Sequence, residues 1–209
     1  ILNHKNLLFL SKISFYMEEF KVWFFIGYEH IVNKDALDHI LFVLALSSIY
    51  DLRMLKKLII LITAFTIGHS LTLIISVLDL VSYNQKIIEF AIPTTIAITC
   101  LTNISKRNSS TNSKILNRNY WIALIFGLIH GLGFSNYLKA LLGGGPVLMP
   151  LFGFNVGLEI GQILIISIFV FFSHWISGLI FAKKSDWIMF VSSIILGISL
   201  LLMGEAKFW

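Results

Sequence analysis

Apolar residues in this chain run on for membrane-length stretches, and short polar clusters separate them. Six such stretches, at about residues 36–52, 58–78, 87–104, 120–142, 151–182 and 187–203, predict transmembrane helices. The fifth is too long for a straight crossing and is expected to tilt or to continue past the bilayer. Ahead of them, Phe15 to Ile31 mixes aromatic and aliphatic residues with Glu18, Glu19, Lys21 and Glu29. That is too many charges for a span, and the segment reads as an amphipathic helix lying at the membrane surface. The expected fold class is all-α: a polytopic membrane helix bundle of about six transmembrane helices plus an N-terminal interfacial helix. Residues 1–16 read as an N-terminal extension without a signal-peptide pattern, with Met17 as a candidate start, and residues 17–209 as a single transmembrane domain.

Composition agrees: 57% of the 209 residues are hydrophobic, 13% are charged, and the mean hydropathy is +0.86. The charges gather between the apolar stretches, so the net charge of +5 reports topology, and no nucleic-acid partner is expected. Arg53, Lys56 and Lys57, then Lys106, Arg107, Lys114 and Arg118, then Lys183 and Lys184 follow segments one, three and five. The loops after segments two and four hold only Lys86. With positive charge on the cytoplasmic side, both termini are expected outside. Ser105 to Asn119 reads as a flexible cytoplasmic loop, and Gly143 to Pro150 as an outer turn whose glycines and prolines separate two helices. Cys100 is the single cysteine, which excludes an internal disulfide and a thiolate cluster.

Ionisable residues within such stretches are costly unless paired, metal-bound or facing water, so each is a functional candidate. His130 sits mid-segment in GLIHGLGFSN, beside the close-packing pair Gly127 and Gly131, with Ser135 and Asn136 toward the outer side. His69 lies eleven residues into its segment, on a face shared with Thr63, Thr66 and Ser70. Segment one opens with Asp35, Asp38 and His39 on one face; Asp35 suits a helix cap, and a carboxylate beside an imidazole is the usual way to orient it. His30, with Glu29, ends the surface helix on the same side. Glu89 reads as interfacial and Pro93 as a kink or a local break in segment three. In FGFNVGLEIGQ, Asn155, Glu159 and Gln162 fall within about 60° of one another, opposite Gly153, Gly157 and Gly161. A buried carboxylate there needs a proton, a cation or a metal; a protonated Glu159 bonded to Gln162 is the structural alternative. By depth, His69, His130 and Glu159 are expected at one mid-membrane level, with Asp38, His39 and His30 above them in an outward-opening funnel. Nitrogen and oxygen ligands without sulfur suit nickel, cobalt or zinc.

At these residues the chain resembles the HupE/UreJ family, bacterial membrane proteins associated with hydrogenase and urease maturation and regarded as nickel or cobalt permeases. The matching motifs are GYEHI (Gly27 to Ile31), LDHILFVLAL (Leu37 to Leu46), AFTIGHSLTL (Ala64 to Leu73), FGLIHGLGFS (Phe126 to Ser135) and FNVGLEIGQ (Phe154 to Gln162). The resemblance implies a multi-pass protein of the bacterial cytoplasmic (inner) membrane in which His30, Asp38, His39, His69, His130 and Glu159 belong to the metal path. One departure stands out: the family usually places five residues between the first histidine and the Asp-His pair, and here seven separate His30 from Asp38.

The expected function is a permease rather than an enzyme, passing Ni²⁺ or Co²⁺ inward as its substrate, with the bilayer, the ion and a nickel-enzyme maturation system as partners. Asp38 and His39 would capture the ion, and His69, His130 and Glu159 would form the central site. Ser70, Thr66, Asn155 and Gln162 would supply hydrogen bonds around it. Affinity is expected to fall below about pH 6 as imidazoles protonate. The alternative is an intramembrane hydrolase holding Zn²⁺ in the same cluster and acting on a lipid or peptide. A third reading is an accessory subunit whose polar residues fix packing, and a rhomboid-like serine protease fits poorly because no Gly-x-Ser-Gly motif is present.

Overall fold

The computed structural model describes residues 4–33, 36–108, 113–180 and 183–207. Among them the elements are α1 (His4–Val32), α2 (Leu37–Ser47), α3 (Leu55–Val77), α4 (Gln85–Lys106), α5 (Ser113–Leu142), α6 (Leu148–Ile180) and α7 (Lys184–Glu205), with a 3-10 turn at Leu52–Met54. Helices α3 to α7 are long and apolar enough to cross a membrane, so the chain is a multi-pass membrane helix bundle. Asp35, the first three residues, the loop centre at 109–112 and residues 181–182 lie outside the described residues.

The first expected crossing is built differently from the span over 36–52. Helix α2 has 11 residues, about 16 Å of rise, which is roughly half the hydrocarbon thickness. The other half comes from α1, which does not lie on the surface. Gly153, Gly157 and Gly161 of α6 meet Phe20, Phe24 and the Tyr28–Ile31 turn of α1 in that order, so the two helices run parallel and in contact. Helix α2 continues in the same direction, because Ser48 and Tyr50 beyond its end lie beside Val170 and Ser173 of α6. Together the C-terminal part of α1 and α2 form one crossing that is interrupted between Val32 and Leu37. Local sequence permits this: Glu18 and Lys21 pair with each other on an exposed face at 2.7 Å, and from Val22 to Ile31 the only charged residue apart from His30 is Glu29.

A second glycine contact ties α3 to α5. A Cβ on Gly127 would overlap the Phe65 carbonyl, one on Gly131 would overlap Thr72 and the His69 carbonyl, and one on Gly68 would overlap the Leu124 carbonyl. Backbones therefore touch at the level of His69 and His130, where two small residues four apart allow it. Pro93 sits inside an uninterrupted α4. The outer turn is shorter than expected, since Pro150 falls in the first turn of α6, where proline is tolerated. The flexible loop also shrinks, because α4 runs to Lys106 and the backbone of α5 is helical from Ser113.

Arg53, Lys56, Lys57, Lys106, Arg107, Lys183 and Lys184 mark one end of the bundle, the basic end. There a large apolar core contains Phe42, Leu58, Leu61, Phe65, Ile96 and Val191. Lys184 closes this end by pairing with Asp51 at 2.7 Å and donating to the Ile49 carbonyl at 2.9 Å. Buried Asn103 donates to the Ala45 carbonyl at 2.8 Å and to the Ser48 hydroxyl at 3.1 Å, satisfying a carbonyl at the last turn of α2. Asn103→Leu leaves those buried acceptors without that donor and is expected to destabilise the bundle by about 2 kcal/mol. Thermal unfolding in detergent measures it, and an unchanged Tm would show that the bond contributes nothing.

Candidate metal centre

Where α1 stops and α2 begins, two histidines face each other across the break. His30 lies in the last turn of α1 and His39 in the first turn of α2, with ring centroids 4.8 Å apart. His69 of α3 completes a set: one ligating atom from each of His30, His39 and His69 lies within 4.8 Å of the others. His39 and His69 are buried and His30 is half-buried. Helix α6 fixes α1 through its glycines, so a packing stripe on one helix sets the position of an imidazole on another.

The polar accounting around the set is incomplete within the protein. His39 bonds through Nδ1 to the Asp38 carboxylate at 2.9 Å, and the same carboxylate oxygen accepts the His39 backbone N–H at 2.8 Å. Asp38 accepts, so His39 Nδ1 carries the proton and Nε2 presents a lone pair. Nε2 of His30, Nε2 of His39 and both ring nitrogens of His69 are buried without a hydrogen-bond partner. Orphaned buried polar atoms cost about 1–3 kcal/mol each. A cation drawing on one lone pair from each ring removes that cost at three of the four atoms, and the set consists of the donors a borderline divalent ion prefers.

Aromatic rings wall the centre. Phe154 stacks on His69 with centroids 6.3 Å apart, and Phe134 lies 3.9 Å from the His30 ring. One turn toward the basic end from His39, His69 and His130 stand Phe42, Phe65 and Phe126. Phe42 lies 4.9 Å from Phe65 and 5.9 Å from Phe126 between centroids. This ring of phenylalanines closes the centre from below. On the opposite side a cavity of about 630 Å³ reaches His30, His39 and His130, and Glu29, Asp38 and Glu89 contribute acids to its wall. Its rim is braced by a network at the ends of α4 and α5: Asn136 donates to Gln85 at 3.1 Å, Gln85 donates to the Gly133 carbonyl at 3.2 Å, and Tyr83 bonds Ser135.

The expected central trio is not the trio that meets. His30 and His39 stand level with His69 rather than above it, because the crossing that carries them is broken at mid-depth. His130 stands beside the set, its ring 5.2 Å from that of His39, and bonds Thr95 through Nε2 at 3.1 Å. Glu159 accepts from Thr63 at 2.6 Å, and Gln162 accepts from Thr66 at 3.0 Å, so the Glu159–Gln162 pair that stood as the structural alternative does not form. Ser70 donates to the Thr66 carbonyl and Asn155 to the Leu151 carbonyl, each within its own helix. The groups that do anchor imidazoles are Asp38 and Thr95. The first was visible as a neighbour of His39, whereas Thr95 and the rim residue Gln85 carry no local signal that sets them apart.

Residues 7–205 match the family model described as HupE / UreJ protein. No curated protein and no solved structure matches the chain.

Proposed function

The chain belongs to the HupE/UreJ family, a membership that points to a metal-related accessory or transport protein of the membrane, and from it we propose a permease for Ni²⁺ or Co²⁺. The observation that carries this reading is the set of three imidazoles on three different elements, gathered where a membrane crossing is broken and at the foot of an acid-lined cavity. Broken crossings free backbone and side chains for ions at mid-membrane, and transporters use them for that purpose. Glu29, Glu89 and Asp38 attract the cation, and His30, His39 and His69 exchange its water for nitrogen. The phenylalanine ring must then part to release it toward the basic end. With the basic end cytoplasmic, the cavity opens outside and the ion moves inward, to supply a nickel-enzyme maturation system.

Proteoliposomes test the proposal directly. Wild-type protein is expected to take up Ni²⁺ from the cavity side, and His69→Ala to reduce uptake to the level of empty vesicles. Equal uptake by wild type and His69→Ala overturns the site. A permanently closed phenylalanine ring would instead suit the hydrolase reading, to which the family lends no support; it predicts tightly held zinc and no uptake at all.

A further inference from the structure

Proton accounting at a single hydroxyl decides which nitrogen of His130 faces the ion. Thr95 Oγ1 lies 2.7 Å from the Ile92 carbonyl oxygen, which can only accept, so the single hydroxyl proton goes there. Such back-bonding to the preceding turn is the usual state of a threonine in an apolar helix. His130 Nε2 lies 3.1 Å from the same Oγ1. With the hydroxyl proton committed, that contact is a bond only if Nε2–H donates to Oγ1. A neutral imidazole has one N–H, so Nδ1 is left as a bare lone pair, buried and without a partner.

From this geometry we propose that Thr95 is a positioning residue: it selects the Nε2–H tautomer of His130 and thereby presents Nδ1 as a ligand beside His39 on the ion path. His130 lines the same cavity as His39, and its ring stands perpendicular to that of His39 at 5.2 Å. Asp38 and Thr95 thus do the same work from opposite ring atoms. One holds Nδ1–H of His39 and leaves Nε2 bare, while the other holds Nε2–H of His130 and leaves Nδ1 bare. Two bare nitrogens on neighbouring rings give a cation a second position next to the three-histidine set. The use made of Nδ1 rests on the permease reading, but the tautomer does not.

The experiment is ¹⁵N NMR of histidine-labelled full-length protein in nanodiscs without metal, with the His130 signals assigned by their loss in His130→Gln. Wild type is expected to show a protonated Nε2 and a bare Nδ1. Thr95→Val keeps the shape and removes the acceptor, so it should mix the tautomers and weaken Ni²⁺ binding about tenfold, the scale set by losing a group that orients a ligand. Thr95→Ser should restore both. An Nδ1–H tautomer in wild type overturns the proposal. So does a Thr95→Val protein with wild-type tautomer, or with a shifted tautomer and unchanged affinity. If Thr95→Val does not fold, the wild-type spectrum and the Thr95→Ser affinity decide. The expected tautomer and affinity changes without uptake by any variant would sink the permease reading and leave the role of Thr95 standing.

Discussion

His39→Ala is expected to weaken Ni²⁺ binding by the purified protein at least about a hundredfold, beyond the range seen when only an orienting group is lost. His39 is the hub of the centre. Its ring lies 4.8 Å from His30, 6.0 Å from His69 and 5.2 Å from His130, so it belongs both to the three-histidine set and to the neighbouring pair. Removing it also leaves Asp38 without the imidazole it orients. His130→Ala takes one ligand from the edge of the cluster and should cost less. Equilibrium dialysis of both variants and wild type gives the order, and a His130→Ala loss equal to or larger than that of His39→Ala would relocate the principal site.

Gly157→Ala should be among the most damaging single-methyl additions in the protein, on a par with Gly27→Ala in the same α1–α6 contact. A Cβ at residue 157 would overlap the Phe24 carbonyl and crowd the Tyr28 amide, and backbone cannot yield as a side-chain tip can. Helix α1 must then move off α6. Overpacking of this kind costs up to about 3 kcal/mol, which for a chain of this size is of the order of ten degrees in Tm. Because α1 carries His30, Ni²⁺ affinity should fall along with stability. Gly178 lies on the same helix with nothing within 4 Å of its Cβ position, so Gly178→Ala is the matched control: it should leave affinity unchanged and raise stability by up to about 1 kcal/mol through helix propensity. A Gly157→Ala protein as stable as that control would show that the α1–α6 contact is looser than described.

Hydropathy alone determines that this chain lives in a membrane as a helical bundle, because a long apolar run is a local property that no partner can alter. The chemistry of the candidate site is just as local. Histidines and acids inside such runs are conspicuous, and the glycines of α5 and α6 announce close contact before any neighbour is known. Which histidines meet is a different kind of fact. Position along a segment sets depth only if that segment spans the bilayer. The broken crossing violates that assumption: Glu18, Glu19 and Lys21 mask the apolar half of α1 when hydropathy is averaged, and α2 is too short to cross by itself. His30 and His39 consequently sit at mid-depth beside His69, whereas Glu159 goes to Thr63, 96 residues away in sequence. Thr95 resembles every other threonine until α5 is laid against α4. Only the tertiary structure could decide these pairings, because they depend on which helices become neighbours and in which direction each one runs.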